Sequence, residues 1–257
     1  MVVSDSSPES GRVSVGITDG VATLSFFHPK GNSLPARLLA DLGGAVASLA
    51  HDDAARVIVL RSEGAGPFCA GASFQELQAI ATPEQGQAFF MGFARLMLAM
   101  IRCPKFILAR VHGKAVGGGV GMIAAADYAV AVPNASVKLS ELAVGIGPFV
   151  VGPVIERKIG LAAFSTLAVS AADWRGAAWA CEKGLFAELR DNIDELDFTV
   201  AEQAAKLATF SPEATAKLKA VLWQGTADWD RLLAERAALS GGLVLTEYAQ
   251  AAISGRA

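Results

Sequence analysis

Little in this 257-residue chain is equipped for redox or metal chemistry. Its cysteines are Cys69, Cys103 and Cys181, and its histidines are His28, His51 and His112; all are scattered. Disulfide frameworks and zinc knuckles need closely spaced thiols or imidazoles, so neither is expected. No apolar run reaches the ~18 residues of a membrane helix. The formal net charge of −3 supplies no basic surface for nucleic acid or an anionic membrane. Met1 to Gly11 is polar and Ser-rich, without the basic start and apolar core of a signal peptide. The expectation is a cytoplasmic protein with a short disordered lead at 1–11. What the chain does have is apolar bulk: 53% of its residues are hydrophobic, enough for a sizeable core and for surface buried in an oligomer.

Val13–Thr18 and Val21–Phe27 flank Asp19-Gly20, a dipeptide suited to a tight hairpin. A helical pattern runs from Leu34 to Leu49, and RVIVLR at 56–61 reads as a buried strand. Pro83–Ile101 reads as a long helix, Lys105–Val111 as another buried strand, and Val120–Ala131 as a helix-like run after a glycine cluster. Strand–helix alternation predicts an α/β fold. After Gly160 the segments Leu161–Ser170, Ala172–Lys183, Glu202–Thr209, Pro212–Trp223 and Ala227–Ser254 read as mostly helical, with Ser211 capping a helix that starts at Pro212.

Two segments are suited to chemistry. Phe68-Cys69-Ala70-Gly71-Ala72-Ser73 contains small residues that let a ligand approach the backbone. His112 to Gly121 (HGKAVGGGVG) sits where a buried strand gives way to a helix, whose first turn has unpaired N–H groups and the positive end of the helix dipole. Either could be only a tight connection. A dinucleotide fingerprint fails because Met122 stands where its last glycine belongs, and neither a Gly-Lys-Ser/Thr phosphate loop nor a Gly-x-Ser-x-Gly elbow is present.

Taken together, with Asn32-Ser33-Leu34, Ala126-Asp127 and SELAVGIGPFVVGP at 140–153, these segments resemble the crotonase, or enoyl-CoA hydratase/isomerase, superfamily over about Val13 to Ser254. The order of Gly145, Pro148 and Pro153 after Glu141 looks like a bacterial hydratase branch that includes methylglutaconyl-CoA hydratase-like proteins. The resemblance implies a ββα spiral core at 12–195 and a helical C-terminal trimerisation region at 196–257, in a homotrimer or dimer of trimers. It implies an acyl-CoA substrate and no separate cofactor, coenzyme A being part of that substrate. It implies an oxyanion hole from the N–H groups of Ala72 and Gly118, with Lys30, Asn32, Ser33, Leu34, Ala70 and Gly117 beside the coenzyme A thioester. An anion developing on the thioester oxygen gains from preorganised donors, each worth ~3–4 kcal/mol.

The familiar hydratases of this superfamily share one water between two glutamates. Here the first place is Gly121 and the second is Glu141. A lone carboxylate suits isomerisation of a 3-enoyl thioester, while the hydratase branch also lacks the first glutamate, so hydration stands first and isomerisation second. Decarboxylation, thioester hydrolysis and a non-catalytic scaffold stay open. Ser73 stands where the family has Asp, Gln75 where it often has Lys, and the C-terminal basic end is reduced to Arg256. Cys69, His112 and Asp127 are read as structural. Phe89, Phe90 and Phe93 either shape the acyl pocket or pack the helix core.

Overall fold

The computed structural model describes residues 11–255; the Ser-rich lead before them and Arg256 lie outside. The hairpin forms as expected. Strands β1 (Arg12–Thr18) and β2 (Val21–Phe27) pair antiparallel, closed by Asp19 at φ 49° and Gly20 at φ 80°. Both central residues of such a turn need positive φ. Helix α1 (Ala36–His51) buries Leu38, Leu39, Leu42, Val46 and Leu49 along one stripe. Then follow β3 (Val57–Ser62), α2 (Phe74–Ala79), α3 (Pro83–Arg102), β4 (Ile107–Val111), β5 (Ala115–Val116) and α4 (Gly118–Ala125). Next come β6 (Tyr128–Ala131), β7 (Ser136–Lys138), a 3-10 turn (Leu142–Val144), α5 (Gly152–Val169), β8 (Arg175–Gly176), α6 (Ala177–Glu182) and β9 (Glu188–Leu189). Helices α7 (Ile193–Ala208), α8 (Pro212–Leu222), α9 (Trp229–Leu243) and α10 (Glu247–Ile253) complete the described chain.

Several segments differ from the sequence expectation. The run 120–131 is not one helix: α4 begins at Gly118 and ends at Ala125, and 128–131 is a strand. A fully buried helix and a fully buried strand are both continuously apolar, so periodicity does not separate them. Helix α5 starts at Gly152, not Leu161, and is broken where Gly160 takes φ 77°, ψ 157°. Within 172–183 only 177–182 is helical, and 227–254 is two helices. Ser211 does cap α8, its hydroxyl accepting from the Ala214 N–H.

Six strands form one sheet in the order β1-β2-β3-β4-β6-β9, parallel from β2 onward. Strands β5, β7 and β8 form a second, small sheet. Helix α7 packs across β2, β3, β4 and β6, so a division at 195/196 falls inside a helix that belongs to the sheet's own core. Helices α3 and α9 approach closely at Gly86 and Gly241, where a Cβ on Gly86 would lie 2.6 Å from the Gly241 Cα. No helix among the described residues is long and apolar enough to cross a membrane.

The C-terminal helices are tied to the sheet by charge. Asp127 and Lys219 form an ion pair at 2.9 Å, their side chains only 7% and 2% exposed. The Asp127 carboxylate also accepts from the Ile107 N–H at 2.7 Å, and Lys219 donates to the Lys105 carbonyl at 2.8 Å. Removing one member of a buried pair strands the other charge. Lys219→Met is therefore expected to cost about 3 kcal/mol in urea unfolding, and the double change Lys219→Met with Asp127→Asn less than the sum of the two single ones.

Candidate active site

Segment 68–73 is threaded between two neighbours. Cys69 pairs with Ala115: its N–H donates to the Lys114 carbonyl at 3.1 Å, and its carbonyl accepts from Val116 at 2.9 Å. Three residues on, Leu34 pairs with Ala72, donating to the Gly71 carbonyl at 2.8 Å and accepting from the Ser73 N–H at 3.4 Å. In such a parallel bridge the residues on either side of Ala72 make the bonds. Its own N–H points away from Leu34 and has no acceptor among the described residues. Gly71 enters at φ 89°, a conformation natural to glycine. Ser73 then starts α2, its hydroxyl accepting from the Glu76 N–H, so the serine in place of the family's aspartate serves as a helix cap.

A second unpaired N–H comes from α4. Gly117 donates to the Lys138 carbonyl at 3.0 Å and takes φ 50°, ψ −110°. The turn leaves Gly118 as the first helical residue, whose N–H has no partner within the helix. Neither glycine could be alanine cheaply. A Cβ on Gly117 would lie 2.8 Å from Glu141 Oε1, and one on Gly118 would lie 2.2 Å from Phe93 Cε1.

Glu141 reaches this spot from the loop after β7. Its carbonyl accepts from Val144 at 3.2 Å and Ile146 at 2.9 Å, and Gly145 at φ 75° reverses the chain. Neither Ser140 nor Glu141 caps a helix through its side chain here. The Glu141 Oε2 atom is shut off from solvent and has no hydrogen-bond partner among the described residues. Burial pushes its carboxyl up to about 7, only partly offset by its own backbone N–H.

Ala70, Ala72, Gly117, Gly118 and Glu141 all line one cleft of about 580 Å³, its open mouth included. Phe90 and Phe93 line it too, while Phe89 backs both rings edge-to-face at 5.4 and 5.8 Å. Sequence reasoning missed Phe149 and Val151, which line the cleft from an apolar loop with no motif to mark them. Val151 and Met97 crowd the position where the first glutamate would stand. A Cβ on Gly121 would lie 2.8 Å from Val151 Cγ1 and 3.3 Å from Met97 Sδ, so apolar side chains fill the space beside Gly121.

The remaining expected residues sit outside the cleft lining, in the loop after β2. Asn32 takes φ 57°, and its side chain is spent within the protein, accepting from the His28 N–H and donating to the carbonyls of Glu63 and Pro67. Ser33 bonds His28 Nδ1 at 3.0 Å, and Leu34 is fully buried. The Ala70 N–H is likewise taken, by the Gly31 carbonyl at 3.0 Å. What this loop leaves for a ligand is carbonyl oxygens and the exposed Lys30, whose ammonium meets Gln75 at 2.9 Å. Cys69 is no nucleophile: burial pushes its thiol up to about 12. Burial likewise lowers the pKa of His112, which lies outside the cleft.

The spiral of strands and helices with its two glycine-rich loops defines a crotonase-fold protein. A solved enoyl-CoA hydratase from Bacillus halodurans superposes with a TM-score of 0.87 over 95% of this chain and 99% of that one, at 21% identity. The model of the enoyl-CoA hydratase/isomerase family matches residues 16–246, and the chain belongs to that family. A probable enoyl-CoA hydratase of Bacillus subtilis is 29% identical over 82% of this chain and 81% of its own length. A 4-chlorobenzoyl coenzyme A dehalogenase of Arthrobacter is 37% identical over 55% of this chain and 52% of its own. The rat mitochondrial methylglutaconyl-CoA hydratase is 34% identical over 59% and 49%. Those last two matches span about half of each relative.

The elevated carboxyl makes a pH prediction. Relative to Glu141→Gln, the wild-type protein holds its full stability below the unfolded carboxyl value of ~4.3 and loses it as pH rises through about 7. Urea unfolding of both proteins from acid to neutral pH should show a loss of roughly 3 kcal/mol, flat above that range. A constant difference between the two would show that the carboxyl titrates normally. Gly121→Ala should cost about 1–3 kcal/mol by overpacking against Val151.

Proposed function

We propose that the protein is an acyl-CoA enzyme that hydrates a 2-enoyl thioester. The observation that carries this is the convergence, on one cleft, of two unpaired backbone N–H groups and a single desolvated carboxylate. The thioester oxygen sits between the N–H groups of Ala72 and Gly118. Glu141 takes a proton from water, and the hydroxyl adds at C3. The electron pair of the double bond moves through C2 onto the thioester oxygen, where the two donors stabilise the enolate. The enolate then collapses as Glu141 returns its proton to C2. The same carboxyl is base and then acid, a task suited to a pKa near neutrality.

Coenzyme A lies over the loop that follows β2, with the carbonyl groups of Asn32, Ser33 and Ala70 toward the adenine and Lys30 toward the phosphates. The helical C-terminal region carries the contacts of a trimer or of two stacked trimers. Exposed apolar side chains on α7 and α8, among them Phe198, Val221 and Leu222, supply surface for such contacts.

A second reading has its own support. The Val151 methyl group and the Met97 sulfur face Gly121, so this wall offers no second carboxylate to hold a water. In that case Glu141 removes a proton from C2 of a 3-enoyl thioester and returns it to C4, with the same enolate between the same donors.

Turnover of 2-enoyl-, 3-enoyl- and 3-methylglutaconyl-CoA, followed at the thioester absorbance, separates the two. Hydration consumes the 2-enoyl absorbance, and isomerisation creates it. Glu141→Gln is expected to lower kcat by a factor of about 10³ or more while leaving the unfolding midpoint at neutral pH unchanged or raised. Turnover intact in Glu141→Gln would sink both mechanisms. Acetoacetyl-CoA, an enolate-like ligand, should raise Tm; no shift at saturation would favour a non-catalytic scaffold.

A further inference from the structure

Resting on the acyl-CoA reading above, we infer that the acyl group accepted by this cleft is uncharged and carries an aromatic ring close to the reacting carbons. The charge argument comes from the lining. Among the described residues that form it, Glu141 is the one charged group, and no Lys, Arg or His is present. The other polar side chains are the hydroxyls of Ser140 and Ser240. An acyl group with a distal carboxylate, such as a glutaconyl group, would bring a second anion into a space that already leaves Glu141 Oε2 without a partner. It would lose its hydration, gain no cation and repel the glutamate.

The shape argument comes from the rings. Phe93 lies directly against Gly118, its Cε1 only 2.2 Å from where a Cβ would stand. Phe89 packs against both Phe90 and Phe93 in edge-to-face contacts, and all three rings are buried. On the opposite loop Phe149 folds back over Gly147, a ring carbon 2.4 Å from the Cβ position there. Carbons beyond a thioester held at Gly118 therefore meet Phe93 first, in a cleft that Phe74, Phe90 and Phe149 also line. A flat ring pairs with them and has few rotatable bonds to freeze, whereas a straight chain gives up more freedom for the same area. Such ring pairing raises affinity by about 2- to 12-fold.

Isothermal titration with three saturated thioesters tests this apart from any reaction, since none has a double bond to hydrate or move. The expected order of affinity is 3-phenylpropionyl-CoA first, hexanoyl-CoA about 2- to 12-fold weaker, and glutaryl-CoA roughly tenfold weaker again. Hexanoyl-CoA binding as tightly as phenylpropionyl-CoA overturns the ring. Glutaryl-CoA binding as tightly as hexanoyl-CoA overturns the exclusion of charge. Binding in the expected order with no turnover of any unsaturated thioester would sink the proposed reaction and leave the acyl preference standing. No binding of any of the three overturns both. Two variants locate the effect: Phe149→Ala should remove the preference for the ring, and Val144→Arg, on the half-buried turn lining the cleft, should raise glutaryl-CoA affinity roughly tenfold. Unchanged selectivity in both overturns the assignment to this cleft.

Discussion

The site depends on how closely Gly117 and Glu141 approach each other. The carboxylate oxygen lies 2.8 Å from where a Cβ of residue 117 would be, so the glutamate occupies space that any other residue would take. The same glycine bonds Lys138 through its N–H, and its φ of 50° turns the chain so that α4 begins with an unpaired donor at Gly118. One residue thus fixes the distance from acid to helix terminus and the direction of that terminus. The Ala72 donor follows from a separate device, the Leu34 bridge, but is tied to the first through Cys69 and Val116. The two donors are therefore joined by one hydrogen-bonded strip.

Two buried carboxylates in this chain show opposite solutions to the same cost. Asp127 is paired with Lys219 and bonded to Ile107, and it serves the fold. Glu141 has no cation beside it, and its burial raises the affinity for a proton instead. Pairing removes the need to neutralise; leaving the group unpaired makes neutralisation the easier route. A carboxyl that titrates near neutral pH is of little use to the fold and of direct use to proton transfer.

Much of this was legible in the sequence, for identifiable reasons. The Asp19-Gly20 turn, the stripe of α1 and the Ser211 cap are local and carry their own chemistry. The two glycine-rich loops and Glu141 were legible because close backbone approach and an embedded acid demand particular residue types. The internal partners of the Asn32 and Ser33 side chains were not, because His28, Glu63 and Pro67 lie up to 35 residues away along the chain. The strand at 128–131 was hidden by burial on all sides. The cleft wall at Phe149 and Val151 was hidden for another reason: apolar residues in a loop look alike whether they face solvent, core or substrate.

Val151 shows why an absent catalytic group leaves more than a gap. A glutamate at position 121 would need the volume that the Val151 methyl group and the Met97 sulfur now hold, and these are packed too closely even for a Cβ. Close packing makes such a pair of positions mutually exclusive. Restoring the acid requires first removing the hydrocarbon opposite, and removing the hydrocarbon alone leaves a cavity. The cleft thus carries one carboxylate in its lining, with Val151 and Met97 packed against Gly121. On the reading proposed above, protons move through Glu141, and the packing at residue 121 leaves no second carboxylate to share that task.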